Sequence, residues 1–407
     1  MSSVLHARSF AEPVCWGRFA RRLGGQRSYS DYIRYPATEG RTIKVPLKNQ
    51  KLIGVSVSRG TRRYQEDAHS IAALQLPWQE LSRGLHRNFG LSWHPQQRDW
   101  EMANQVLYVG VYDGHGGAAV SEYLRDHLHT LVENAHPSQI PEVVQWLKSY
   151  GGYFRRFRGG VLEDWLKDPT LERPLDMESR VTLAFLQADY EAAQLPQSKG
   201  AGTTASVAIL HPLELPTAPF FSSEAMALTV AHCGDTRVLL CSTETGSAFP
   251  MTEDHHADTR LESARLRKLG TGLVTDSFGE ARWMGAVANT RGLGDAEFKP
   301  VGVTPEPEVK RRVLKGKDWA FLAFVSDGIT SVVSNDEIVD LARNAKDPST
   351  AAKNILSYAE MLGSEDNATV IVVPLAGWGM IRGPDRTYEI RMHRKKQAEG
   401  SERQRRM

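Results

Sequence analysis

The sequence is poor in cysteine and has no long apolar run, and each absence excludes a class of protein. Its 407 residues include only three cysteines, Cys15, Cys233 and Cys241, and their spacing matches no metal-binding motif. A disulfide scaffold and a cysteine-based zinc site are therefore excluded, and a reducing compartment is expected. No segment approaches the roughly 18 apolar residues of a membrane-spanning helix, so we predict no membrane span.

An excess of charge of one sign is also missing. The chain has 50 lysines and arginines against 48 acidic residues, for a net charge of +2, so nucleic acid is not an expected partner. Hydrophobic residues make up 41% and charged residues 24%, as in ordinary globular proteins. No internal repeat and no flexible linker divides residues 42–375, which we predict to form one domain.

The two ends differ in composition from this middle part. Residues 1–29 carry a single acid, Glu12, against five arginines: Arg8, Arg18, Arg21, Arg22 and Arg27. An arginine-rich, serine-containing and acid-poor end is typical of a mitochondrial presequence, and cleavage is expected near Ser30. We therefore expect a matrix protein, with a cytoplasmic or nuclear protein as the alternative. Residues 30–41 are predicted to be a linker, and residues 376–407 a basic, disordered tail.

Short apolar runs predict a fold dominated by strands. They are rich in valine, leucine, isoleucine and aromatic residues, and several end at Gly-Asp or Asp-Gly. The predicted strands are Leu52–Val57, Val106–Tyr112, Thr204–Leu210, Met226–His232, Arg237–Cys241, Trp319–Val325 and Ala368–Val373. Many are separated by turns rather than by crossover helices. This favours antiparallel sheets covered by helices over a doubly wound parallel sheet.

Helices are predicted where apolar residues recur every three or four positions. One runs from residue 118 to about 133. Another begins at Ser334, where Glu337 completes a capping box, and a third begins at Asp347 and ends near Gly363. Residues 75–102 and 138–176 show no regular pattern. We interpret them as irregular insertions that contribute to substrate or partner selection.

Acidic residues recur where the predicted strands begin or end. The acids at these positions are Glu66, Asp67, Asp113, Asp235, Asp327 and Asp366. Strands that share a sheet can bring their ends together, and clustered carboxylates would repel one another unless cations lay between them. Sites made only of oxygen ligands favour Mg²⁺ or Mn²⁺ over zinc.

The residues around Asp113 suit the same chemistry. Gly114 allows a sharp turn that brings a backbone carbonyl close to an ion. His115 lies beside the expected metals without being needed as a ligand, which suits it to proton donation. Arg62 can present its planar guanidinium to phosphate oxygens, and Arg63 is the alternative.

An ordered set of short motifs between residues 52 and 374 resembles the type 2C family of metal-dependent protein phosphatases. The matching segments are Arg62-x-x-x-Glu66-Asp67-Ala68-His69, Val111-Tyr112-Asp113-Gly114-His115-Gly116-Gly117, Gly202-Thr203-Thr204-Ala205, Cys233-Gly234-Asp235-Thr236-Arg237, Thr252-x-Asp254-His255, Arg291-Gly292-Leu293-Gly294-Asp295, Ser326-Asp327-Gly328 and Glu365-Asp366-Asn367-Ala368. The resemblance implies an α/β fold of the α+β type: two packed antiparallel sheets flanked by helices, an α-β-β-α sandwich.

The resemblance also implies a mechanism and phosphoprotein substrates. Asp113 would bridge two Mg²⁺ or Mn²⁺ ions, and a bridging hydroxide would attack phosphorus without forming a phosphoenzyme. Arg62 would hold the phosphate, and His115 would protonate the departing serine or threonine oxygen. The remaining ligands would be the Gly114 carbonyl, Asp327, Asp366 and Glu66, with Asp67 behind them and Asp235 at a weaker third ion.

Some positions depart from the family pattern. Ser331 stands where an aspartate often helps to hold the third ion, so that site stays open as a question. His256 and Ala257 replace Lys-Pro, and Thr290 and Gly292 replace serine and alanine. We interpret these as structural variation near a segment that we call the flap, residues 271–290.

Two other functions compete with a protein phosphatase. A pseudophosphatase would use the fold for binding alone, but the complete ligand set argues against it. A metal-dependent phosphodiesterase or nuclease would need a basic groove, which the balanced charge does not suggest. The N-terminal composition resembles that of fungal mitochondrial members, a branch in which the pyruvate dehydrogenase complex is a substrate.

Overall fold

Two five-stranded antiparallel sheets form the centre of the molecule. The first sheet consists of β4 (Ala68–Gln75), β5 (Gln105–Tyr112), β8 (Ala205–Pro212), β9 (Ala225–Cys233) and β15 (Glu308–Lys315). The second consists of β3 (Gly54–Ser58), β10 (Arg237–Ser242), β11 (Ala248–Pro250), β16 (Trp319–Val325) and β17 (Ala368–Pro374). The strand order is β15-β9-β8-β5-β4 in the first sheet and β11-β10-β16-β17-β3 in the second.

The computed structural model describes most of the chain. The described residues are 30–37, 40–150, 160–170, 173–267, 273–275, 281–285 and 287–398. The expected presequence therefore lies outside the described residues, as do 151–159 and 171–172 of the second insertion, part of the flap, and residues 399–407. Within the described ranges, no helix is both long enough and apolar enough to cross a membrane.

Smaller strands and helices complete the structure. The short strands are β1 (Tyr32–Pro36), β2 (Thr42–Pro46), β6 (Gly114–His115), β7 (Gly202–Thr203), β12 (Leu273–Thr275), β13 (Ala281–Trp283) and β14 (Leu293–Gly294). The helices are α1 (Trp78–Phe89), α2 (Trp100–Ala103), α3 (Ala119–Asn134), α4 (Ile140–Tyr150), α5 (Gly160–Lys167), α6 (Met177–Ala192), α7 (Arg260–Arg267), α8 (Asp327–Thr330), α9 (Asn335–Ala342), α10 (Pro348–Met361) and α11 (Tyr388–Ala398).

The side chains of β5 show how the layers are built. Successive side chains of a strand point to opposite faces of the sheet. Every residue of β5 is buried because both faces of this sheet are covered. Leu107 and Val109 enter the core between the two sheets, whereas Val106 and Tyr108 pack toward the helical layer. Each fully buried leucine or valine contributes about 1.5–3 kcal/mol relative to an exposed one.

Helices cover the outer faces of both sheets. On α3, Val120, Leu124 and Leu128 form the apolar stripe that packs onto the first sheet together with α6. On the other side, Ile338 of α9 and Ile355 of α10 pack against the second sheet. The predicted α-β-β-α arrangement is confirmed. The capping box of Ser334 and Glu337 is also present, with the Ser334 Oγ accepting from the Glu337 N–H at 3.3 Å.

The structure corrects the linker predicted for residues 30–41. Strands β1 and β2 pair as an antiparallel hairpin from Tyr32 opposite Pro46 to Pro36 opposite Thr42. Ile33 and Tyr35 are buried in the core between the sheets. Ile33 and Tyr35 alternate with Tyr32 and Arg34, which is the period of a strand. The linker prediction did not take this alternation into account.

The two insertions are also more regular than predicted. The first contains α1, whose Leu81 and Leu85 lie one turn apart and are buried. The second contains α4 and α5, and Val144 and Leu147 of α4 join a cluster with Leu183 of α6. Short amphipathic helices in polar surroundings account for the missed pattern.

The predicted disordered tail contains an ordered helix, α11. None of its residues is buried, so its anchors are ionic rather than apolar. Arg394 donates from Nη1 to the Glu337 Oε1 at 2.8 Å and from Nη2 to the Val332 carbonyl at 2.6 Å. Arg391 donates to the Asp385 Oδ2 at 2.7 Å. The basic helix α11 is therefore held by Glu337 on α9 and by Asp385 in the loop before α11.

Candidate functional site

A cleft of about 830 Å³ lies at one end of the paired sheets. Three aspartates reach its floor from the ends of strands: Asp113 directly after β5, Asp235 shortly after β9 and Asp327 shortly after β16. Asp366 reaches it just before β17. The expected convergence of strand ends therefore occurs, and it draws on both sheets.

Asp113, Asp235 and Asp327 form the centre of the acidic floor. One carboxylate oxygen from each lies within 4.8 Å of the other two. Burial and the charges of the other aspartates raise the pKa of Asp113 well above its usual value. Burial and the charge of Asp235 raise the pKa of Asp327 to about 7. These carboxylates therefore ionise at a cost that a bound cation would remove.

Asp235 contacts a histidine side chain at the edge of the floor. Its Oδ2 lies 3.2 Å from the Nε2 of His256. Burial alone would raise the pKa of Asp235, but the hydrogen bonds from His256 and Asn289 outweigh it and lower that pKa. His256 therefore borders the acidic floor, a role beyond the structural variation expected from the sequence.

Asp67 lies behind the floor. Its Oδ2 accepts hydrogen bonds from Ser326 Oγ and Thr369 Oγ1, both at 2.8 Å. Its Oδ1 is buried and has no hydrogen-bond partner among the described residues. Burial raises the pKa of Asp67 to about 6, although the two hydroxyls oppose that shift. The free oxygen is suited to a water that in turn contacts a metal ion.

Gly114 and Glu66 border the floor on the side of the first sheet. A Cβ on Gly114 would lie 2.4 Å from the Glu66 carbonyl oxygen and 2.8 Å from the Ser121 Oγ. No other residue fits there without displacing the backbone, which explains the requirement for glycine. The Glu66 N–H donates to the Asn367 Oδ1 at 2.7 Å. This hydrogen bond joins two segments beside the cleft that are 301 residues apart in the sequence.

Arg62 lies at the rim of the cleft, where its Nη2 donates to the Asp366 Oδ2 at 2.6 Å. Its side chain is 61% exposed, so the guanidinium remains open to a ligand. Arg63, the alternative, instead stacks over the ring of Tyr64 at 5.2 Å from the centroid. The geometry therefore favours Arg62 as the arginine that faces the cleft.

His115 contacts a residue to which the sequence assigned no role. Its Nε2 lies 3.0 Å from Oδ2 and 3.1 Å from Oδ1 of Asp295. Burial would lower the pKa of His115, but the hydrogen bond and charge of Asp295 outweigh it and raise that pKa. Asp295 belongs to a motif that the sequence revealed, but its 180-residue separation from His115 hid the contact.

A buried ionic network supports the base of the flap. Glu262, 1% exposed, accepts from the Nη2 of Arg291 at 2.7 Å and from the Nη2 of Arg265 at 2.6 Å. Thr290 Oγ1 donates to the same carboxylate at 2.7 Å. Burial opposes ionisation, but Arg291 and Arg265 outweigh it and lower the pKa of Glu262 to about 2. This network fixes Arg291, which lines the cleft.

The donor set fits hard divalent cations. It consists of carboxylates and a backbone carbonyl, with no cysteine, and it leaves one buried carboxylate oxygen unpartnered. Mg²⁺ and Mn²⁺ prefer such oxygen ligands together with retained waters. With an arginine at the rim and a histidine beside the acids, the arrangement is that of a metal-dependent hydrolase of phosphate esters.

Comparisons with known proteins identify the family. Residues 79–368 match the family described as Protein phosphatase 2C. Protein phosphatase 2C homolog 4 of Schizosaccharomyces pombe is 31% identical over 377 residues, covering 90% of this chain and 91% of the relative. Protein phosphatase 1K, mitochondrial, of Xenopus laevis is 30% identical over 341 residues, covering 82% and 71%. This chain belongs to the protein phosphatase 2C family.

Solved structures show the same fold. A serine-threonine phosphatase 2C from Toxoplasma gondii aligns with a TM-score of 0.51 at 18% identity, covering 84% of this chain and 98% of the other. A sex determining protein from C. elegans aligns with a TM-score of 0.51 at 19% identity, covering 84% and 67%. The family is Mg²⁺- or Mn²⁺-dependent, and the protein is a serine/threonine protein phosphatase.

Proposed function

We propose that this phosphatase hydrolyses phosphoserine and phosphothreonine in proteins with two divalent ions held on the acidic floor of the cleft. The observation that carries the proposal is the convergence of Asp113, Asp235 and Asp327 within 4.8 Å, beside His115 and Arg62. The residues that would hold the ions directly or through water are Glu66, Asp67, Asp113, Gly114, Asp235, Asp327 and Asp366. When bound, the ions would supply an activated water as nucleophile and neutralise phosphate charge.

The chain's own residues then orient the substrate and handle the proton. Arg62 lies at the rim with an exposed guanidinium, which suits it to bind phosphate oxygens. Breaking the bond between phosphorus and the serine oxygen leaves an alkoxide, a poor leaving group. His115 is proposed to donate its proton to that oxygen, so that the products are inorganic phosphate and a serine hydroxyl.

Phosphate release from a phosphoserine peptide tests the proposed function. The purified chain should release phosphate with Mn²⁺ and stop when EDTA is added. Asp113→Asn should nearly abolish the activity. Asp318 is an exposed aspartate that precedes β16, and Asp318→Asn should leave the activity unchanged. Mn²⁺-dependent turnover that survives in Asp113→Asn would refute the metal role of this residue.

The acid role of His115 has its own test. Para-nitrophenolate leaves without protonation, whereas a serine alkoxide does not. His115→Gln should therefore slow phosphopeptide hydrolysis by roughly 10²–10⁴-fold, with a much smaller loss on para-nitrophenyl phosphate. Equal losses on both substrates at saturating Mn²⁺ would make His115 a structural residue.

A mitochondrial matrix location is the second part of the proposal. The acid-poor, arginine-rich composition of residues 1–29 supports it, as does the name of the Xenopus relative. The pyruvate dehydrogenase complex is the substrate to test first, because of the resemblance to fungal mitochondrial members. Phosphoproteomics of matrix proteins after gene deletion should show increased phosphorylation of that complex, and unchanged phosphorylation would exclude it.

A further inference from the structure

The loop that carries Asp295 crosses directly in front of His115. Strands β6, β7 and β14 form a three-stranded sheet in which β7 lies in the middle. Gly202 of β7 pairs with His115 on one side and with Gly294 on the other. The side chains of His115 and Asp295 therefore meet across one residue of the central strand.

Gly202 leaves the space in which this contact forms. A Cβ at this position would lie 2.3 Å from the Asp295 Oδ2 and 2.6 Å from the His115 Nε2. Any side chain on Gly202 would therefore separate the imidazole from the carboxylate. The contact between His115 and Asp295 therefore requires glycine at position 202.

The backbone of the Asp295 loop is held in an uncommon conformation. Asp295 has φ 50° and ψ 42°, in the left-handed region that most residues other than glycine avoid. Its N–H donates to the Ala201 carbonyl at 3.1 Å. A local conformation that costs free energy persists only where its surroundings enforce it, and such positions cluster at functional sites.

A buried ion pair holds the loop from below. Lys299 and Asp189 are each 1% exposed, and the Lys299 Nζ lies 3.0 Å from the Asp189 Oδ1. The same lysine donates to the Gly292 carbonyl at 2.8 Å, and the Gly294 N–H donates to Asp189 Oδ1 at 2.7 Å. Both ends of the turn before Asp295 are therefore tied to one buried pair.

We infer that Asp295 is a positioning residue that fixes the imidazole of His115 for proton transfer to the leaving oxygen. Because the carboxylate accepts from Nε2, the nitrogen left to serve the substrate is Nδ1. The inference rests on the proposed function, since it assigns a partner to the proposed proton donor. It adds a carboxylate–imidazole pair to the metal site, with the loop at Gly292–Asp295 as its support.

Two substrates and a double-mutant cycle test the inference. Asn adopts the left-handed conformation more readily than most residues, so Asp295→Asn keeps the backbone of the turn. We expect it to lower kcat on a phosphoserine peptide by roughly 10–100-fold, as for other residues that orient a functional group. KM, the Mn²⁺ concentration for half-maximal activity, and the rate on para-nitrophenyl phosphate should change little.

The second half of the cycle places Asp295→Asn in a His115→Gln chain. If Asp295 acts through His115, the double variant should be no slower on the peptide than His115→Gln alone. Glu297→Gln is the matched control, because it removes a carboxylate from the same turn at an exposed position. It should retain the wild-type rates on both substrates.

Three results would overturn the inference: equal losses on both substrates, an additive loss in the double variant, or a wild-type rate in Asp295→Asn. Asp295→Gly keeps the left-handed backbone and removes the carboxylate, so it must repeat the pattern if the side chain is responsible. A wild-type chain that releases no phosphate would instead refute the proposed function. An active wild type slowed by His115→Gln but not by Asp295→Asn would refute the inference alone.

Discussion

Replacing Asp327 by asparagine should stabilise the metal-free protein while abolishing its activity. Asp327 has a pKa of about 7 because it is buried beside Asp235, whereas an unfolded aspartate titrates near 3.9. At about 1.4 kcal/mol per pKa unit, ionising Asp327 in the folded protein costs up to roughly 4 kcal/mol near neutral pH. Asparagine carries no charge, so the variant avoids this cost.

The raised pKa of Asp327 determines how the free energy of unfolding changes with pH. Because the folded pKa is raised, the stability that the protonated group contributes is present below about pH 4 and is lost as the pH rises through 7. The variant should therefore match the wild type at acidic pH and exceed it in free energy of unfolding at pH 7. Saturating Mn²⁺ should reverse the order, because the bound ions stabilise only the wild type strongly.

Urea unfolding at several pH values, with EDTA and with Mn²⁺, measures these differences. Asp318→Asn is the matched control, since Asp318 lies at the opposite end of β16 and is exposed. Its unfolding free energy should stay within about 0.5 kcal/mol of the wild type in both conditions. A metal-free Asp327→Asn protein less stable than the wild type at pH 7 would show that the carboxylate is structural, and the reasoning would fail.

Three other predictions concern a third metal site, the N-terminus of the protein in cells and the buried network around Glu262. Ser331 lines the cleft with Asp235 and Asp327, so Ser331→Asp should lower the metal concentration needed for peak activity; an unmoved titration curve would exclude Ser331 from a third site. Protein isolated from cells should begin near Ser30, and N-terminal sequencing that finds Met1 would contradict import. Glu262→Gln should lower the free energy of unfolding by roughly 3 kcal/mol above pH 5. Because the pKa of Glu262 in the folded protein is lowered to about 2, this difference in unfolding free energy should shrink as the pH falls from about 4.5 toward 2.

The sequence predicted the parts of the fold whose signals are local. The strand before Asp113 is a continuous apolar run, and its observed bounds, Gln105–Tyr112, differ from the prediction by one residue. Helix α10 begins at Pro348 behind the predicted cap, Asp347. The hairpin at residues 32–46 was missed because its strands are short and only one of them carries buried side chains.

The site was predictable where residues stand at strand ends and was not where distant loops meet. Asp113, Asp235 and Asp327 converge as their positions in the sequence imply. The contact of His115 with Asp295 spans 180 residues and depends on the close approach of β7. No periodicity encodes such a contact, because it arises only when the sheets have packed.

The pairing of β3 with β17 has a consequence for the order of events during synthesis. Strand β3 ends at Ser58, yet its only neighbour in the described sheet begins at Ala368. The acidic floor likewise needs Asp113 from the first sheet and Asp366 from near the far end of the chain. A ribosome-bound chain that lacks β17 therefore has neither a closed second sheet nor a complete floor. We therefore expect phosphatase activity only after β17 has been synthesised, so that synthesis and activity are separated in time.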